Sequence, residues 1–171
     1  MATENSDARR NDSAEGAGPG GLEQLAYDLL RQVAALTEEL RNANLIQLHR
    51  IAAVQTEHAI ADPMLAEAMS TLPDLADGKR RQLLFVNNQY ASIVLNHRVG
   101  AIGWGELIGH VRVLCRNSVF QDYWELTRDH RRSLARESLE AKVGKAVDVI
   151  MDELGDDPDE WWVVGPDTGP A

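Results

Sequence analysis

The chain has 171 residues, 44% of them apolar, a formal net charge of -10 and a single cysteine. That length holds one domain with a core and ragged ends. The densest apolar patch, Leu83-Leu84-Phe85-Val86, is far too short to cross a bilayer, and Cys115 has no partner for an intrachain disulfide or a cysteine-based zinc site.

The acidity is unevenly placed. From Ala146 onward stand eight acids and no lysine or arginine, leaving 17 basic and 19 acidic groups in residues 1 to 145. A basic face for phosphate is missing, so nucleic acid is not an expected partner. No hydrophobic stretch follows Arg9-Arg10, which argues against a secretory signal and for a cytoplasmic protein without membrane insertion.

Residues 1–21 are rich in Ala, Gly, Ser, Asn and charge and are predicted to be a disordered tail. Leu22, Ala26, Leu29, Val33, Leu36, Leu40 and Ala43 then alternate spacings of four and three, the rhythm of a coiled-coil seam. No Gly or Pro interrupts residues 22–61, so one helix of about 60 Å is expected there, at 1.5 Å per residue. Its seam of Leu22, Leu29, Val33, Leu36 and Leu40 calls for a second copy of the chain as partner; packing against the later helices is the alternative.

Asp62-Pro63 is a break and restart, Asp as N-cap and Pro at the first helical position of a short helix ending near Thr71. Pro73-Asp74 and Asp77-Gly78 read as the next connection. Leu83, Leu84, Val86, Tyr90, Ile93, Val94 and His97 recur at helical spacing up to Gly100. Gly100, Gly103 and Gly105 place Trp104 in a loop. Leu107, Ile108, Val111 and Leu114 carry a further helix, Asn117-Ser118 cap the one bearing Phe120, Tyr123, Trp124 and Thr127, and Ser138 caps the last, which stops before Gly155. No segment alternates apolar and polar residues as a strand would. The expected fold is all-α: a long heptad-bearing helix over 22–61, a helical bundle over 62–155 and an acidic tail over 156–171.

The blocks QLHRIAAVQTEHAIADP, KRRQLLFVNNQY and VFQDYWELTRDHRR resemble an actinobacterial family of helical domains of unknown function, over about residues 47 to 153. The matching positions are Asp62-Pro63, Arg81-Gln82-Leu83-Leu84, Phe120, Tyr123, Trp124 and Arg128. The resemblance implies a compact helical domain and a high-GC bacterial source, and no activity. Members of that family commonly carry a transmembrane hairpin upstream, where this chain has its polar-flanked heptads; the heptads and the Trp-Trp tail fall outside the resemblance as read from these motifs.

Chemistry-bearing patterns are sparse. His49, His58, His97, His110 and His130 include no i, i+4 pair and no HExxH, so no metal ligands are assigned. P-loop, Rossmann and GxSxG patterns are also missing, and neither cofactor nor catalytic residues are expected. Phe120, Tyr123, Trp124 and Arg128 share one helix face and read first as core, with a recognition surface in which Arg128 stacks on Trp124 as the alternative. Arg128, Arg131, Arg132 and Arg136 form a basic ridge, either a solvated face or a dock for the chain's own acidic end.

That end, DDPDEWWVVGPDTGPA, sets two of the four tryptophans among acids. Trp161, Trp162, Val163, Val164, Asp167 and Thr168 are candidates for a linear motif. It would clasp the bundle, enter a partner's groove, or be the substrate of a peptide-modifying enzyme. The sequence thus suggests a non-catalytic interaction module, self-associating through its heptads and presenting a docking tail. The alternative is the precursor of a ribosomally synthesised, post-translationally modified peptide, with a helical leader and a core within 156–171.

Overall fold

The computed structural model describes residues 19–72 and 74–156, and the regular structure among them is helical throughout. Seven helices follow in order: α1 (Pro19–Ala61), α2 (Pro63–Met69), α3 (Asp77–Arg98), α4 (Trp104–Cys115), α5 (Ser118–Leu126), α6 (Arg128–Arg132) and α7 (Leu139–Asp156). The chain divides into two compact units, one ending at Asn44 and the other beginning at Leu45.

In the first unit the described residues are all helical. The helix opens at Pro19, three residues inside the expected tail, because proline suits the first turn, where its missing N–H would have no helical acceptor. Ala, Leu, Gln, Glu and Arg, all strong helix formers, then carry it onward. Arg31 pairs with Asp28 at 3.2 Å and Arg41 with Glu38 at 2.8 Å, one turn apart on the solvated flank.

The second unit packs α3 against α2, α4 and α5, and α7 against α4 and α3. Its core centres on Phe120, Leu107, Val111, Cys115, Val143 and Val147, all without solvent exposure. Phe120 meets Tyr90 at a ring separation of 5.9 Å and Trp124 at 5.7 Å, so α3 and α5 share one aromatic cluster. Burying side chains of this size contributes about 1.5–3 kcal/mol each.

The connections follow from their capping residues. Asp62 accepts from the Met64 N–H at 2.9 Å, with Pro63 at the start of α2. Asn117 accepts from Val119 at 2.9 Å and Phe120 at 3.3 Å, and Ser138 Oγ accepts from Ala141 at 3.1 Å. These satisfy donors that the first helical turn leaves unpaired.

Four further boundaries differ from the sequence reading. Asp77 and Gly78 form the first turn of α3, where the Asp77 carboxylate complements the helix N-terminus and holds Arg80 at 3.1 Å. Trp104 begins α4 rather than lying in a loop: Gly103 is the cap, and Glu106 Oε2 accepts its N–H at 2.8 Å. Gly100, at φ +77°, does end α3 in the left-handed conformation that glycine adopts without strain. Gly155 lies inside α7, which runs on to Asp156, and the basic ridge contains a short helix of its own, α6.

Candidate interaction surfaces

The first unit leaves its heptad seam open. Leu22, Leu29, Val33, Leu36 and Leu40 are between 50% and 66% exposed, the range of surface residues rather than core. Leu25, Leu30 and Tyr27 are equally uncovered. The first two flank the seam at the g and e positions, and the a/d count passed over them; their leucine identity beside the stripe was the available signal. The Thr37 hydroxyl, next to Leu36, is turned back onto its own helix, donating to the Val33 carbonyl at 2.8 Å.

In the second unit the residues of the shared α5 face take different places. Phe120 and Trp124 are core, Tyr123 is half-buried with its hydroxyl donating to Asn87 Oδ1 at 2.6 Å, and Arg128 is exposed and paired with Glu125. The core reading holds for Phe120 and Trp124, and the alternative, an Arg128–Trp124 stack, does not form. Arg131 takes that place, its guanidinium carbon 3.6 Å from the indole centroid. The reason is the break between α5 and α6 at Thr127, which changes the helical phase and turns Arg131, not Arg128, over the ring.

Arg131 is held from several sides. It donates to the Trp124 carbonyl and to Thr127 Oγ1, the latter at 2.8 Å, and its charge lies 3.8 Å from Asp148 Oδ1. Burial pushes its pKa down, opposed by the Asp148 carboxylate. Asp148 also accepts the Trp124 indole N–H at 2.7 Å. Tyr90 completes the cluster edge-on to Trp124 at 5.5 Å, and desolvation raises the pKa of both Tyr90 and Tyr123.

Trp124, Arg131 and Asp148 of this cluster line a groove of about 760 Å³ between α5–α6 and α7. Trp124, Leu134, Met151 and Leu154 supply apolar lining, Arg128, Arg131, Arg132, Arg136 and Lys145 supply positive charge, and Glu125, Glu140, Asp148 and Asp152 supply negative charge, leaving a small cationic excess. Arg128 and Arg132 pair with the acids three residues before them, whereas Arg136 and Lys145 have no ionic partner among the described residues. A surface of this composition suits an extended segment with acidic and aromatic residues.

The remaining chemistry-bearing side chains are engaged or isolated. His49 Nε2 meets Ser92 Oγ at 2.9 Å, and His97 Nδ1 meets the Ile102 carbonyl at 3.0 Å. Cys115 is fully buried, and desolvation pushes its thiol up to about 11, which keeps it protonated. Among the described residues no group of three or more His, Cys, Asp or Glu is arranged to hold a metal ion, and no helix is long and apolar enough to cross a membrane. The tail candidates Trp161, Trp162, Val163, Val164, Asp167 and Thr168 lie outside the described residues.

No curated protein and no solved structure matches the chain. A family model does, over residues 16–162. That span is wider than the sequence motifs indicated: it takes in the whole heptad segment and reaches Trp161 and Trp162, stopping before Val163. The chain belongs to the family of unknown function DUF6082.

Proposed function

We propose that the chain is a non-catalytic helical interaction module, acting in the cytoplasm, that self-associates through α1 and uses its acidic Trp161-Trp162 segment as a docking motif. The exposed stripe of α1 carries this reading. Seven large aliphatic side chains, Leu22, Leu25, Leu29, Leu30, Val33, Leu36 and Leu40, stand at least half exposed within 19 residues. Monomeric proteins rarely expose so much contiguous apolar surface. Two copies covering these stripes would gain on the order of 10–20 kcal/mol of burial, enough to offset an association cost of about 4–15 kcal/mol. A heptad spacing favours a second helix of the same kind as the cover.

The variant Leu29→Asp with Leu36→Asp tests this. Both side chains are exposed within the protomer, so the second unit should keep its helicity while the solution mass falls. A mass unchanged from wild type would defeat the proposal. Processing within residues 156–171 is the competing proposal, and a shifted intact mass of the protein from its native cell would favour it.

A further inference from the structure

The geometry points to the groove between α5–α6 and α7 as the binding site for the chain's own tail, with residues 157–162 folding back beside α7. The inference rests on the docking reading above and names the site. Three observations favour this occupant over a foreign one.

The first is where the described chain ends. Leu154 and Gly155 already line the groove, and 15 residues of the sequence follow Asp156, the last described residue of α7. The second is reach. Gly144 lies 12 residues before Asp156, about 18 Å along the helix, a distance that an extended chain returns in five to six residues. An extended return would bring the Trp161 and Trp162 indoles back along α7 toward Gly144. There α7 has no side chain and the Trp124 indole edge comes within 3.9 Å of where a Cβ would sit. Along that path the groove presents Leu154, Met151 and the edge of Trp124.

The third is charge. Asp157, Asp159 and Glu160 precede the indoles, and the groove holds five cations against the four acids Glu125, Glu140, Asp148 and Asp152; Arg136 and Lys145 are its two cations without an ionic partner among the described residues. The family match is consistent with a tail that belongs to the domain, since it continues past α7 through Trp162.

The test is chymotrypsin cleavage after Trp161 and Trp162 in the full chain, followed by intact mass. Docking should slow this cut at least about tenfold relative to the variant Arg136→Glu with Lys145→Glu, the change expected for 1.4 kcal/mol of docking. Adding Asp159→Lys and Glu160→Lys to that variant should restore protection. A tail cut in all three chains as fast as the free peptide 156–171 would overturn both the site and the docking reading. A cut slower than that of the free peptide by the same factor in all three would overturn the site alone, and leave docking elsewhere. Repeated with Leu29→Asp and Leu36→Asp, retained protection assigns the effect to one copy's own tail. Protection that disappears with the oligomer overturns the fold-back.

Discussion

Trp124 donates its indole N–H to the Asp148 carboxylate at 2.7 Å, tying α5 to α7 at the floor of the groove. Arg131 lies over the same indole and faces the same carboxylate, so three side chains from three helices hold one another in place. Such a unit is cooperative, because each member fixes the geometry that the other two need.

Asp148→Ala leaves the indole N–H without its acceptor and Arg131 without its counter-charge. Asp148 is itself exposed, so water replaces part of the loss, and a destabilisation of about 1 kcal/mol is expected. Arg131→Met removes the stacking and two hydrogen bonds, for about 1–2 kcal/mol. In urea denaturation the double variant should fall short of the sum by at least roughly 0.5 kcal/mol. Strict additivity would show that the three residues do not act together.

Phe120 is fully buried against Tyr90 and Trp124. Phe120→Ala should therefore cost about 3–5 kcal/mol, as removal of a core aromatic does. Thermal denaturation followed by circular dichroism checks this. A loss below about 1 kcal/mol would mean that the cluster collapses around the vacancy.

The N-cap of α5 gives a smaller, sharper effect. Asn117→Ala removes the acceptor for two first-turn N–H groups and should cost about 1 kcal/mol, while Asn117→Asp keeps an acceptor there and should be nearly neutral. Equal destabilisation by both would assign the asparagine a role other than capping.

Cys115 gives the pH dependence. Burial raises the thiol from 9.0 to about 11 in the folded chain, so the folded state favours the protonated form. The resulting stability, on the order of 2 kcal/mol, is fully present below pH 9 and is lost as pH rises through 11. Thiolate absorbance should accordingly appear near pH 11 in the native protein and near pH 9 when it is unfolded in urea. Titration at the same pH in both states would contradict the burial.

Much of the helical order could be read from the sequence because its signals are local. Asp62-Pro63, Asn117 and Ser138 cap the helices that their side-chain chemistry specifies, and the 3.6-residue rhythm marked Val86, Val94, Leu107 and Val111, all of them core. What escaped depends on phase and on distant partners. Whether Arg128 or Arg131 covers Trp124 turns on a single irregular residue, Thr127, between two short helices, and composition does not reveal such a break. The role of Asp148 was equally hidden, since its partners lie 17 and 24 positions earlier. The α1 stripe was legible at its a and d positions, whereas Leu25 and Leu30 became evident only through their exposure.

The self-association of α1 is tested most directly by the light-scattering mass of the full-length protein across a dilution series. A multiple of the 18.9 kDa chain mass that falls toward 18.9 kDa only on dilution is the expected result. A constant 18.9 kDa at every concentration, including the highest reachable, would contradict it.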